Sequence, residues 1–137
     1  MSAWWKAICV SIILIALPLR ITAEEVKQKG RVSDNENIEI LNYETYTCPD
    51  HIAPKDSLCI RILYKARKEI DKAVSDYGRY THKIIADCFD DKGSQIEGGS
   101  STINNYQALS PGEVRRLVVT CSPKTAKFNL RAYSPSR

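Results

Sequence analysis

Residues 80–103 read YTHKIIADCFDDKGSQIEGGSSTI, and this stretch decides the fold of the chain. A run of β-branched and aromatic residues ends at Phe89, and Asp90-Asp91-Lys92-Gly93 follows with the composition of a tight turn. Because glycine adopts positive φ without a steric penalty, the stretch predicts a β-hairpin. Its second arm, Gln95 to Ile103, contains two adjacent glycines, which is typical of an edge strand or a bulge.

Similar short runs recur on both sides of this hairpin, separated by Gly, Pro, Asn and Asp. The predicted strands are Ile38–Thr47, Leu58–Ala66, Tyr80–Phe89, Gln95–Ile103, Val114–Ser122 and Lys127–Tyr133. Many short strands with turn residues between them predict an all-β sandwich. One alternative stays open, because apolar residues recur at helical spacing between Leu63 and Tyr77; a helix over residues 63–77 would make the fold α+β.

The first 23 residues have the features of a signal peptide. An apolar run from Ala7 to Leu19 follows Lys6, and the small residue Ala23 precedes an acidic pair. A membrane-spanning helix needs about 20 apolar residues, so cleavage is favoured, with a retained anchor as the alternative. Residues 24–37 contain few apolar side chains and predict a flexible leader, which places the folded domain at residues 38–134.

The charge of the chain argues against a nucleic-acid partner. Loss of residues 1–23 removes Lys6 and Arg20 but no acidic residue, so the net charge falls from +4 to +2. A nucleic-acid-binding domain has a larger and more concentrated basic excess. The one basic group of residues, Arg61, Lys65, Arg67 and Lys68, is interpreted as an ordinary solvated face.

Four cysteines remain after residue 23, namely Cys48, Cys59, Cys88 and Cys121. An even number in a small exported domain predicts two disulfides, whereas a zinc site would call for close C-x-x-C pairs, which are missing. Because side chains on a strand alternate between its two faces, Cys88 and Cys121 both point to the core. Cys59 shares its face with charged residues and is expected outside the core, where it and Cys48 flank a proline-containing loop. The predicted pairs are Cys48–Cys59 and Cys88–Cys121.

Two segments carry a resemblance to a known family. Ile84 to Ile96 is a strand that ends in an aromatic–Asp pair and a glycine turn, and Leu109 to Val119 contains a Pro-Gly-Glu lead into the next strand. Together they resemble the FxLYD-type immunoglobulin-like domains of secreted and periplasmic bacterial proteins, although Phe89-Asp90 stands where Tyr-Asp is usual. The resemblance covers about half of the mature chain. It implies an immunoglobulin-like antiparallel sandwich of about seven short strands, located in the periplasm or secreted, with no catalytic residues.

No set of residues in the sequence forms a recognisable catalytic or cofactor site. His51 lies in the loop between Cys48 and Cys59, and His82 is expected to be partly buried and hydrogen-bonded at the start of a strand. Neither belongs to a nucleophile motif, and we expect no metal and no cofactor. The sequence therefore favours a non-catalytic extracytoplasmic interaction or accessory domain over a small secreted enzyme or metal-dependent hydrolase.

The seven tyrosines offer the one suggestion of a contact surface. Most are expected in strands or in the core, but Tyr77, Tyr80 and Tyr106 lie at or beside loops. Exposed tyrosines near loops bury a large contact area at a low entropic cost. These three residues are the predicted partner surface. The expected partner is another extracytoplasmic protein, with no membrane contact once the signal peptide is removed.

Overall fold

A computed structural model describes residues 28–73 and 80–136 of the chain. The proposed signal peptide, the first part of the leader and Tyr77 lie outside the described residues. Within these residues no helix of membrane-spanning length and hydropathy occurs.

Seven strands form two sheets. They are β1 (Gln28–Ser33), β2 (Ile38–Thr47), β3 (Leu58–Ala66), β4 (Lys83–Phe89), β5 (Gln95–Thr102), β6 (Val114–Cys121) and β7 (Lys127–Tyr133). One sheet has the strand order β1-β7-β4-β5 and the other has the order β2-β3-β6. This arrangement confirms the predicted all-β sandwich of about seven strands. The helical alternative is wrong as far as the structure describes that segment, since Leu63 to Ala66 belong to β3 and Ile70 pairs with Leu109 in an isolated bridge.

The core lies between the sheets and follows the alternation of the strands. Inward side chains of β3 and β4 are buried, including Ile60, Ile62 and Ile84, while Phe128 and Leu130 of β7 fill the space between them. The ring of Phe128 meets the ring of Tyr43 edge to face, with 5.5 Å between centroids. Apolar side chains at every second position thus hold the two sheets together.

Both disulfides form as predicted. Cys88 of β4 bonds to Cys121 of β6 and so joins the two sheets inside the core, where these residues are 0% and 3% exposed. Cys48 bonds to Cys59 across 11 residues of chain and closes the loop that follows β2.

Cys59 lies outside the hydrophobic cluster between the sheets, as expected, but it is 0% exposed. Its side chain does share the outer face of β3 with Arg61, which is exposed. The disulfide draws the loop over this end of the strand, and the amide of Cys48 donates to the carbonyl of Ser57. Strand parity predicted the face correctly, but it contains no information about a loop that covers that face.

The expectation of a flexible leader up to Asn37 is wrong from Gln28 onward. β1 pairs with β7, and it does so in parallel, unlike the antiparallel sandwich that was expected. Residues 30–33, the part of β1 whose burial the structure describes, add no side chain to the core. The order of β1 comes from backbone pairing with β7 and from the side chain of Asn129, whose Oδ1 accepts a hydrogen bond from the amide of Arg31 at 2.8 Å. Gly30 permits the approach, because a β-carbon there would overlap the carbonyl of Phe128.

The link between β1 and β2 is fixed by two polar side chains. Asn35 accepts hydrogen bonds from the amides of Asn37 and Ile38 through Oδ1, and Asp34 accepts one from the amide of Ile40. Arg67 contacts Asp34 in turn. The polar residues that led to the prediction of disorder therefore form the hydrogen bonds that order this segment.

The hairpin between β4 and β5 forms as predicted. Oδ1 of Asp90 accepts hydrogen bonds from the amides of Lys92 and Ser94, and Gly93 has a φ of 82°. β5 is an edge strand of the four-stranded sheet, with a bulge in its pairing to β4. It also lies against β6 of the other sheet, since the amide of Ser122 donates to the carbonyl of Glu97.

Gly99 makes this contact between the sheets possible. A β-carbon at Gly99 would overlap the carbonyl oxygen of Thr120. We expect Gly99→Val to lower the free energy of unfolding by about 1 to 3 kcal/mol, because the backbone of β6 cannot move away without disturbing the core. Urea unfolding measures the effect. Ser100→Val, at the exposed neighbouring position, is the matched control and should be close to neutral; equal losses for both variants would contradict the explanation.

Candidate interaction surface

The basic residues singled out in the sequence are all paired with carboxylates. Arg61 contacts Glu44 at 2.6 Å, Lys65 contacts Glu39 at 3.5 Å, and Lys68 contacts Glu36 at 3.5 Å. Arg67 contacts both Asp34 and Glu39. Such exposed pairs stabilise a protein little, but they neutralise the positive field. The interpretation of this group as a solvated face agrees with its geometry.

The described residues contain no group of three His, Cys, Asp or Glu side chains that could hold a metal ion. His51 is exposed in the loop closed by Cys48 and Cys59. His82 is half-buried, as expected, and its Nδ1 lies 2.8 Å from Oγ of Ser134. The same hydroxyl accepts a hydrogen bond from Nδ2 of Asn35 at 3.0 Å. These contacts fasten the start of the C-terminal tail.

A polar cavity of about 650 Å³ lies beside this attachment. Its lining includes Glu36, Glu69, Asp71, Tyr80, His82 and Ser136. It opens at the end of the sandwich where β4 begins and β7 ends, so it borders one of the predicted contact tyrosines.

Asn104 organises the loops at this end. Its side chain is fully buried, although it is polar. Nδ2 donates to the carbonyls of Asp71 and Tyr80, both at 2.9 Å, and Oδ1 accepts from the amide of His82 at 2.9 Å. The carbonyl of Asn104 accepts from the amide of Ala73. One side chain thus joins three segments distant in sequence, and we call them together the Asn104 loop cluster (Ile70–Ala73, Tyr80–His82 and Ile103–Leu109).

Two of the predicted contact residues belong to the Asn104 loop cluster. Tyr106, two residues after Asn104, is 87% exposed, and Tyr80 is 40% exposed. Backbone hydrogen bonds between Ile70 and Leu109, of 3.0 and 2.8 Å, anchor the base of the loop that carries Tyr106. A rigid base therefore presents an exposed aromatic ring, which is the arrangement used by binding loops on sandwich scaffolds.

Sequence reasoning found the tyrosines but missed Asn104. The run Ile103-Asn104-Asn105-Tyr106 gives no local signal that separates the two asparagines. Asn104 is fully buried whereas Asn105 is exposed, and this difference arises from the position of the loop over the end of the core.

Comparisons with known proteins give one structural likeness. The chain is similar to the crystal structure of cj0090 of Campylobacter jejuni, with a TM-score of 0.43 and 14% sequence identity over 75% of this chain and 96% of that one. No protein-family model matches the chain, and no curated protein matches it.

Proposed function

We propose that the chain is a non-catalytic extracytoplasmic domain of the FxLYD-like, immunoglobulin-like type that binds another extracytoplasmic protein through the Asn104 loop cluster. The exposed ring of Tyr106 on this loop is the observation that carries the proposal. Exposed aromatic residues are frequent at protein interfaces and contribute much of the binding energy. The fully buried Asn104 lowers the entropic cost of binding, because the loop is already ordered.

The proposed location, secreted or periplasmic, follows from the disulfides and from the N-terminal sequence. Two disulfides within one small domain indicate an oxidising environment. The apolar run before Ala23 supplies the expected export signal.

The contact between His82 and Ser134 favours a second candidate, a small hydrolase, since a histidine next to a serine hydroxyl is the start of a nucleophilic pair. We favour the structural role because Asn35 donates to the same hydroxyl, so Ser134 links two segments of the chain. Replacing both histidines by glutamine separates the two candidates. A binding domain retains its partner, whereas a hydrolase would lose its activity while remaining folded.

The loop proposal is tested by comparing three immobilised mature domains: the wild type, Tyr106→Ala and Tyr133→Ala. Tyr133 is 40% exposed on β7 and serves as the matched control. We expect a protein from the extracytoplasmic fraction to be retained by the wild type and by the control. Its affinity for Tyr106→Ala should be lower by about tenfold or more. Equal retention by all three domains would rule out the loop as the binding surface.

Export makes a prediction about composition. Trp4 and Trp5 are the only tryptophans of the chain, and both precede Ala23. We expect protein purified from its extracytoplasmic fraction to show no tryptophan fluorescence. Its intact mass should equal that of a chain whose first residue is Glu24. The full-length chain, expressed without export, is the control. A native product with indole emission and the full mass would instead indicate a retained anchor.

A further inference from the structure

A second surface lies on the outer side of the three-stranded sheet. The registers place Glu44, Arg61 and Val118 in one cross-strand row, and Asn42, Leu63 and Arg116 in the next. We call the outward side chains Glu44, Arg61, Leu63, Val114, Arg116 and Val118 the Arg116 face.

The Arg116 face is more apolar than the exposed side of a sandwich usually is. Alternation should put polar residues on the outer positions of a sheet that has one solvated face. On β6 the outward positions 114 and 118 are instead valines, 48% and 38% exposed, and Leu63 lies beside Arg116 in the partner strand.

Arg116 is the exposed cation at the centre of these apolar residues. The other arginines on the sheet are engaged, because Arg61 pairs with Glu44 and lies 5.0 Å from the ring of Tyr46, and Arg115 pairs with Glu113 at 2.7 Å. The part of the chain that the structure describes provides no ion pair for Arg116. A guanidinium among apolar side chains exchanges its hydrogen bonds to water for charge-assisted bonds when a carboxylate arrives.

A shallow depression of about 380 Å³ lies between the two cross-strand rows, with Arg61, Leu63, Arg116 and Val118 in its lining. Arg61 stands opposite Val118, and Arg116 stands opposite Leu63. The two guanidinium groups therefore occupy diagonal positions on either side of the depression. With Glu44 as the single carboxylate of the lining, the depression carries a net positive charge.

We propose that the Arg116 face binds an extended segment of another protein in which an aspartate or glutamate stands between apolar residues. The carboxylate forms a forked pair with Arg116, and the flanking apolar side chains cover Leu63, Val114 and Val118. This surface is separate from the Asn104 loop cluster, so the inference holds whether or not Tyr106 contributes to binding.

The charges of the face argue against a second copy of this chain. A symmetric dimer brings identical patches together, and the carboxylates on this sheet, Glu44 and Glu39, already pair with Arg61 and Lys65. In a dimer, Arg116 would therefore compete with Arg61 and Lys65 for the carboxylates of the facing copy.

The test selects binders from a phage-displayed library of random short peptides against the wild-type mature domain. We expect enriched peptides with one acidic residue between apolar residues, and amide NMR shifts at residues 42–44, 61–63 and 116–118 when such a peptide is added. Arg116→Glu should weaken their binding by about tenfold or more, since it replaces attraction by repulsion. Arg31→Glu, on the exposed strand β1, is the matched control and should bind as the wild type does.

Four outcomes would overturn the inference. The first is a set of enriched peptides without acidic residues, and the second is binding that Arg116→Glu leaves unchanged while it remains folded by its amide spectrum. The third is a wild-type dimer in sedimentation that Arg116→Glu dissociates, which would make a second copy the occupant. Peptides that lose affinity with Tyr106→Ala but not with Arg116→Glu would locate binding at the Asn104 loop cluster and also contradict this inference.

Discussion

Replacing Cys88 and Cys121 together by alanine should lower the free energy of unfolding by about 4 kcal/mol. The disulfide closes 33 residues of chain and limits the unfolded ensemble by an amount that grows with loop length. Both sulfurs also lie in the core between the sheets, so their removal leaves a gap next to Ala86 and Val119. For a domain of this size the loss approaches the whole stability. Chemical unfolding with circular dichroism measures it.

The double variant Cys48→Ala with Cys59→Ala is the matched control. Its disulfide closes only 11 residues, so we expect a smaller loss of about 3 kcal/mol. A larger loss for this pair than for Cys88 and Cys121 would contradict the idea that the bond between the sheets is the main covalent support of the sandwich.

Asn104→Ala should cost about 3 kcal/mol or more. The substitution leaves the carbonyls of Asp71 and Tyr80 and the amide of His82 without the partner each now has in Asn104. The three lost hydrogen bonds are part-buried and contribute about 1 kcal/mol each, and the gap left by a fully buried side chain adds to the loss. Thermal unfolding measures the effect, and Asn105→Ala, an exposed neighbour, is the control.

The same variant connects stability to the proposed binding surface. Amide hydrogen exchange in Asn104→Ala should accelerate at residues 103–109 and 80–82 before it does so in the core strands, because the side chain joins these loops. If exchange increased evenly throughout the domain, Asn104 would be an ordinary core residue and not the organiser of the Asn104 loop cluster.

Much of the fold could be predicted from the sequence because alternation and turn residues are local signals. Ile38–Thr47, Leu58–Ala66 and Lys127–Tyr133 are strands with the bounds that the sequence indicates. The side-chain parity of Cys88 and Cys121 correctly placed both in the core. Strand ends were less certain, and the strand expected from Tyr80 begins at Lys83.

The features that escaped prediction depend on contacts between distant parts of the chain. β1 has no apolar pattern, and its order comes from pairing with β7, about 100 residues away. Cys59 is buried by a loop and not by its own strand. Asn104 differs from its neighbour Asn105 only in what surrounds it. No local sequence pattern indicates any of these contacts.

The binding surface was only partly accessible to sequence reasoning. The loop position of Tyr106 was evident, whereas the anchoring of that loop was not. The sequence signal of the Arg116 face is the alternation Val114-Arg115-Arg116-Leu117-Val118, in which two valines take outward positions. Its unpaired arginine becomes visible only when the cross-strand neighbours are known.

The most direct test of the proposed function is photo-crosslinking in living cells of the source organism. A photoreactive phenylalanine analogue replaces Tyr106 in one variant and Tyr133 in the other, and both exported proteins are illuminated before lysis. We predict a covalent adduct with another extracytoplasmic protein at position 106 and none at position 133, because the Asn104 loop cluster makes the contact. An adduct at position 133 alone, or no adduct at position 106 when both variants are exported and folded, would contradict the proposal that this loop binds a protein partner.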